Sequence, residues 1–92
     1  MKLTWDEAKR QATLEERGLD FAQAGEVFTG DTLTREDLRF DYGEQRFISF
    51  GHVDGRLCVV VWTPRNGAHH IISMRKANER EKAWFYIQTG PG

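Results

Sequence analysis

The sequence predicts an α+β fold in which two N-terminal helices precede an antiparallel sheet of about four strands, and a C-terminal helix follows the sheet. Three observations lead to this prediction. Helix-capping patterns occur twice in the first quarter of the chain and once near its end. Two-residue turn signals separate apolar segments in the middle. The run Leu57–Trp62 is apolar without interruption, which indicates a central strand covered on both faces. A chain of 92 residues is expected to form one domain, residues 1–92.

The two N-terminal helices are predicted from their capping patterns and their ends. Thr4 and Glu7 fit a capping box, and Gly18 is a natural helix stop, so the first helix lies between them. Most of its residues are charged, and we therefore expect an exposed helix. Asp20 opens a second helix that ends at Gly30, and its apolar residues recur at a spacing that places them on one face against the core.

The segment from Asp31 to Gly43 is polar and predicts a short edge strand followed by a mobile loop. Three further strands form a meander, with turns at Asp54-Gly55 and at Pro64-Arg65-Asn66-Gly67. These strands are predicted at Arg46–Val53, Leu57–Trp62 and Ala68–Arg75.

The C-terminal helix is predicted from Asn78 and Glu81, which fit another capping box. Ala83, Trp84 and Ile87 are expected to face the core from this helix, which ends at Gly90.

Charge and composition limit the classes of function. The net charge is −1, but residues 1–46 carry 7 basic and 11 acidic side chains, whereas residues 47–92 carry 6 and 3. A nucleic-acid binder usually has a larger basic excess, so any contact with RNA or DNA must be local. No apolar run approaches the ~18 residues of a membrane span, and no secretion signal is evident, which predicts a cytoplasmic protein. The single cysteine excludes an internal disulfide.

No glycine-rich phosphate loop, His-Glu-x-x-His pair or Cys-x-x-Cys motif is present, and no metal site or cofactor is expected. Arg75 and Lys76 are suited to stabilising a pentavalent phosphate, although composition alone favours a solvated strand end near the acidic first helix. His70 is suited to proton transfer, or is an ordinary strand histidine. Strand alternation places Arg75 on the face of His69 and Lys76 on the face of His70, and a bend at the strand end is expected to bring both cations to one opening.

Cysteine and tryptophan side chains can also take part in catalysis or binding, but here they are more simply interpreted as residues of the hydrophobic core. Cys58 lies within a run of valines and is expected to be a small buried residue and not a nucleophile. Trp5, Trp62 and Trp84 could stack on bases, but tryptophans on apolar faces more often belong to a core.

Several stretches, in this order and spacing, resemble the BrnT family, the ribonuclease toxins of bacterial type II toxin–antitoxin pairs, which have a RelE-like fold. The resemblance spans residues 3 to about 86, and its last stretch and the run Asp41–Glu44 are the most specific. The matching stretches are Trp5–Lys9, Gly18 with Asp20–Ala22 and Val27–Phe28, Asp41–Glu44 with Arg46–Phe47, Gly55–Leu57 with Val59–Thr63, and Ile71–Ala77.

This resemblance implies cleavage of mRNA without a metal, by attack of the ribose 2′-hydroxyl on the neighbouring phosphate. It also implies a partner antitoxin with a ribbon-helix-helix DNA-binding part, through which alone the chain would reach operator DNA. Neither the resemblance nor the residues imply a membrane partner. The site residues expected on this basis are Arg75, Lys76, His70, Glu44 and Arg46 for catalysis, and Arg56, Arg65 and Lys9 for RNA binding.

The sequence departs from the family's common pattern in two places. Thr13 and Glu16-Arg17-Gly18 stand where the family commonly has Asn and then Lys-His-Gly, and His70 stands where it commonly has Arg. The loss of these basic residues lowers the expected activity, unless His70 takes over proton transfer. The alternative function is therefore a weak or inactive homologue that binds the antitoxin and acts as a co-repressor.

Overall fold

The computed structural model describes residues 1–90, which form a five-stranded mixed sheet with helices on both faces. The strands lie in the order β1-β5-β4-β3-β2, with β1 parallel to β5 and the other pairs antiparallel. The elements are β1 (Leu3–Trp5), α1 (Glu7–Arg17), a 3-10 helix (Phe21–Phe28), β2 (Leu33–Glu36), β3 (Phe47–Val53), β4 (Arg56–Arg65), β5 (Ala68–Lys76) and α2 (Glu79–Thr89).

The N-terminus differs from its prediction. Leu3–Trp5 is a strand paired with β5, and Asp6 is the N-cap of α1, accepting a hydrogen bond from the Lys9 amide at 3.2 Å. Thr4 lies opposite His70 in the sheet. The predicted Thr4 capping box is wrong because the exposed edge of β5 offers backbone partners to these residues, and a ladder satisfies more groups than one cap. The predicted sheet of about four antiparallel strands is corrected to five strands of mixed direction.

The second predicted helix is present as a 3-10 helix that ends two residues earlier than expected. Asp20 caps it by accepting from the Ala22 amide at 2.9 Å. The helix lies directly on β3 at Gly51, where a Cβ atom would be 2.3 Å from the Val27 carbonyl oxygen. Glycine at position 51 therefore permits this close approach.

The middle of the chain largely follows the predicted meander. β4 is the central strand, and β2 is an edge strand, as expected. Pro64 and Arg65 extend β4, so the turn before β5 consists of Asn66-Gly67 alone. Asn66 and Gly67 both have positive φ, 50° and 76°, which is the conformation of a tight hairpin turn.

The helices cover the two faces of the sheet unequally. α1 has no buried residue, as predicted for an exposed helix. The Asn78–Glu81 capping box of α2 is confirmed, but the inward residue is Phe85, which is 1% exposed, whereas Ile87 is 77% exposed. Ala83 is also exposed, so its predicted inward orientation is wrong as well. Phe85 packs in a core cluster with Ile48, Phe50, Leu57 and Val59. On the same face, Thr63 donates to the Gln45 carbonyl at 2.7 Å and so contacts the loop of residues 37–46.

A β-bulge in β5 changes which residues share a face. Ile72 has no partner on β4, because the pairing shifts by one residue at that point. Ile71 and Met74 are consequently both buried under the 3-10 helix, although they are three positions apart. One extra residue in a strand reverses which face each of the following side chains points to.

The predicted grouping of β5 side chains is therefore wrong. Arg75 lies opposite Val59 and shares the α2 face of the sheet with His70 and Ser73. Lys76 and His69 lie on the face of the 3-10 helix.

None of the described helices is long and apolar enough to cross a membrane.

Candidate active site

A group of charged residues lies on the α2 face where β4 ends and β5 begins. The Glu44 carboxylate accepts hydrogen bonds from Arg46 Nε and Arg65 Nη2, each at 3.1 Å. The Arg46 guanidinium also lies 4.1 Å from the centre of the Tyr42 ring. His70 stands on the same face, paired with Thr63 two positions from Arg65. We refer to Glu44, Arg46, Arg65 and His70 as the His70 cluster.

The electrostatics of the His70 cluster favour an ionised carboxylate beside a neutral imidazole. The hydrogen bond from Arg65 is the main cause that lowers the pKa of Glu44 below its ordinary value. Partial burial is the main cause that lowers the pKa of His70, and the charges of Arg65 and Lys9 act in the same direction. The His70 Nδ1 atom lies 2.8 Å from the Thr4 hydroxyl, which fixes the ring. Near neutral pH the neutral imidazole can accept a proton through the ring nitrogen that carries no hydrogen.

The loop that carries Glu44 and Arg46 is held by Asp37, which the sequence did not single out. Its carboxylate accepts two bonds of 2.8 Å from the Arg39 guanidinium and one of 3.1 Å from the Tyr42 hydroxyl. The Asp37 side chain is only 1% exposed, and the bond from Arg39 holds its pKa far below the ordinary range. The Asp37 amide also donates to the Arg46 carbonyl at 2.8 Å, which closes the loop. No local pattern marks this aspartate, because its partners lie within an irregular segment.

Arg75 belongs to a separate arrangement at the N-terminus of α2. Its guanidinium donates to both carboxylate oxygens of Glu81, at 2.7 and 2.8 Å. Glu81 also accepts from the Asn78 amide at 2.9 Å, and the bond from Arg75 lowers the pKa of Glu81 to about 2. Five positions separate His70 from Arg75, roughly 15 Å along an extended strand. Arg75 is therefore not in contact with the His70 cluster.

Lys76 and Arg56 lie at the other end of the sheet. With Lys82 they line a cleft of about 280 Å³ between the start of β4 and α2. The expected bend that would bring Arg75 and Lys76 to one opening does not occur, because β5 stays paired with β4 through Lys76 and its successive residues face opposite sides. Of the predicted site residues, the structure gathers Glu44, Arg46, Arg65 and His70, with Lys9 close enough to influence His70.

Cys58 is fully buried, and burial raises the pKa of its thiol, which confirms its interpretation as a core residue. Among residues 1–90, no three His, Cys, Asp or Glu side chains come together in a way that could hold a metal ion.

Arg17, one of the departures from the family pattern, has a structural contact. Its guanidinium donates to the Met74 carbonyl at 2.9 Å and so ties the end of α1 to β5.

Comparison with known proteins identifies the family. The family described as "Ribonuclease toxin, BrnT, of type II toxin-antitoxin system" matches residues 5–81. The crystal structure of the Brucella abortus ribonuclease toxin BrnT, determined at 1.1 Å resolution, is similar to this chain with a TM-score of 0.63 and 29% sequence identity. The match covers 86% of this chain and 99% of that one. A search of curated proteins found no match. The matched region includes every element from α1 to β5 and the whole His70 cluster. The chain therefore belongs to the BrnT family of ribonuclease toxins of type II toxin–antitoxin systems.

Proposed function

We propose that this chain cleaves RNA without a metal ion, by attack of a ribose 2′-hydroxyl on the neighbouring phosphate at the His70 cluster. Membership of a ribonuclease toxin family implies ribonuclease activity and an RNA substrate. The observation that supports the site is that the His70 imidazole lies near Arg65 and Glu44, whose carboxylate also holds the Arg46 guanidinium. This arrangement supplies both proton transfer and charge stabilisation.

Each residue of the His70 cluster has a role in this mechanism. Neutral His70 takes the proton of the 2′-hydroxyl as the oxygen bonds to phosphorus, and the 5′-oxygen leaves with a proton from water. Arg65 and Arg46 donate to the non-bridging oxygens, whose negative charge grows in the transition state. Glu44 stays ionised and holds both guanidinium groups in place. The products are a 2′,3′-cyclic phosphate and a 5′-hydroxyl.

Arg75 has a different role in the proposal. The Arg75 guanidinium is bonded to Glu81, and the Arg75 side chain is 46% exposed. It lies too far from His70 for both residues to contact the same phosphate. We assign Arg75 to another phosphate of the same RNA strand. Lys9 near the cluster and the cations Arg56 and Lys76 at the far end contribute attraction for the RNA backbone.

Cleavage of a short single-stranded RNA in excess EDTA tests the mechanism. The parent is expected to cut the RNA and leave cyclic phosphate or 3′-phosphate ends, and His70→Ala to lower the rate by roughly 10² or more. His52→Ala is the matched control, because His52 is another partly buried histidine of the α2 face, bonded to Tyr86 far from the cluster. Strict dependence on added Mg²⁺, or equal rates for both variants, would contradict the proposed mechanism.

The type II class implies a cognate antitoxin. We infer that this partner is a small protein with a ribbon-helix-helix part, and that operator DNA is reached only through it. The exposed acidic residues Glu15 and Glu16 of α1 suit a basic protein surface better than RNA. Co-expression with the adjacent reading frame, followed by a pull-down, should recover a complex. If the complex forms and strengthens repression while the chain alone cuts no RNA, the co-repressor function replaces the ribonuclease.

A further inference from the structure

A second cleft lies on the α2 face beyond Arg75. It has a volume of about 360 Å³ and lies between β2, β3 and the first turns of α2. Pockets that hold small organic ligands begin at roughly 300 Å³, so the space suits one nucleoside. The residues that line it are Arg35, Phe50, Asn78, Arg80, Glu81 and Trp84.

The wall of this cleft is built from three flat groups, one guanidinium and two aromatic rings. The Arg35 guanidinium carbon lies 5.4 Å from the centre of the Phe50 ring and 5.7 Å from that of Trp84. The two rings meet edge to face, with their centres 4.9 Å apart. Within residues 1–90 no carboxylate forms a salt bridge with Arg35, so the direct contacts of its guanidinium are with the aromatic faces, and Glu81 acts on it only through its charge. Trp84 is only partly buried, and Arg35 is exposed.

From this geometry we propose that the cleft binds one unpaired nucleobase of the RNA by stacking. Guanidinium planes and aromatic rings are the groups on which proteins stack splayed bases. This inference rests on the proposed function, because it names the part of the same RNA substrate that occupies the cleft.

The position of the cleft agrees with this occupant. Glu81 lines the cleft and also holds Arg75 through two hydrogen bonds, so the stacking surface and the phosphate-binding guanidinium share one carboxylate. An RNA strand whose phosphate contacts Arg75 therefore places an adjacent base beside Arg35. Both groups lie on the sheet face that carries the His70 cluster.

The test measures binding of an RNA that cannot be cut, so that its result does not depend on ribonuclease activity. The probe is a short single-stranded RNA with a 2′-deoxyribose at the cleavage position, compared with versions that carry one abasic nucleotide at each neighbouring position in turn. For the parent chain, one abasic position is expected to raise Kd roughly tenfold, the scale of one stacked base. Arg35→Ala should raise Kd for the intact RNA similarly and show no further loss with the abasic RNA.

Three more variants separate stacking from charge. Arg35→Lys keeps the positive charge but lacks the planar guanidinium group. Its Kd should therefore no longer differ between intact and abasic RNA, as for Arg35→Ala. Arg56→Ala removes one exposed guanidinium outside the cleft and should weaken intact and abasic RNA by the same factor. Trp84→Phe keeps an aromatic face and should retain most of the dependence. Thermal melting of each variant checks that it is folded.

The proposal is overturned if no abasic position costs the parent more than twofold, if Arg35→Ala keeps the full abasic penalty, or if the uncut RNA does not bind. It is also overturned if Arg35→Ala weakens only the capture of the antitoxin, which would make the cleft a protein-binding site. A third result separates the two proposals. If binding depends on the base but unmodified RNA is not cleaved, the stacking site is supported and only the proposed ribonuclease mechanism is rejected.

Discussion

Asp37→Asn is the substitution that most directly tests how the loop of residues 37–46 is held. The buried carboxylate accepts four hydrogen bonds, three from Arg39 and one from the Tyr42 hydroxyl. Asparagine keeps the size of the side chain but loses the charge and the two-oxygen pairing with the guanidinium. Because the same loop carries Glu44 and Arg46, the substitution should affect both the stability of the fold and the geometry of the His70 cluster.

The expected magnitude follows from burial and exposure of the partners. A hydrogen bond to a charged group contributes about 1.5–3 kcal/mol, but these values are not additive within one pair. The Arg39 side chain is 63% exposed, which reduces its share through solvent screening. We therefore expect a loss of about 2 kcal/mol in the free energy of unfolding, equivalent to a fall in Tm of roughly 8–16 °C for a domain of this size.

Thermal melting at pH 7 and at pH 3 measures this loss. Arg39 depresses the pKa of folded Asp37, so its stabilisation is complete above the ordinary aspartate pKa of about 3.9 and decreases as the pH falls below it. The difference in Tm between parent and variant should therefore be smaller at pH 3. Cleavage of RNA at pH 7 should fall roughly tenfold or more, because the cluster is displaced.

Asp41→Asn is the matched control, since Asp41 lies in the same loop, is exposed and accepts one backbone bond from Gly43 at 3.0 Å. Its Tm should stay within about 3 °C of the parent's. If Asp37→Asn also melts within about 3 °C of the parent, the carboxylate does not hold the loop and the reasoning is wrong.

Three further predictions concern other parts of the structure. The pKa of Glu81 is lowered to about 2 by Arg75, so the parent should lose stability relative to Glu81→Gln as the pH falls from about 4.5 towards 2, as melting across this range would show. Arg75→Ala should raise KM for RNA more than it lowers kcat, and Arg75→Lys should restore part of the loss; an unchanged KM would remove Arg75 from the RNA site. Gly51→Ala should cost about 2 kcal/mol or more in urea unfolding, because the new methyl group meets the Val27 carbonyl, whereas Gly30→Ala has open space and should change little.

The elements that the sequence predicted correctly are those encoded by neighbouring residues. The caps at Asp20 and Asn78 join groups two or three positions apart. The central position of β4 follows from its unbroken apolar run, which needs cover on both faces.

The errors concern interactions between distant residues or a break in regular alternation. Pairing of β1 with β5 joins Thr4 to His70 across 66 positions, and nothing near Thr4 signals it. The bulge at Ile72 has no turn residue or glycine to mark it, so strict alternation placed Arg75 on the wrong face. The second role of Glu81 was also hidden, because its capping partner is local whereas Arg75 belongs to another element.

The sequence by itself determined the α+β class, the central strand, and the helix caps of Asp20 and Asn78. These depend on side-chain type and on spacing within a few positions, where backbone geometry is nearly invariant. Only the tertiary structure decided which charged groups meet. It separated Arg75 from Lys76, joined Arg65 at the end of β4 to Glu44, and buried Asp37 beneath its own loop. The physical reason is that sheet register and one extra residue in β5 set the direction of every side chain beyond them, and a hydrogen bond forms only where direction and distance agree.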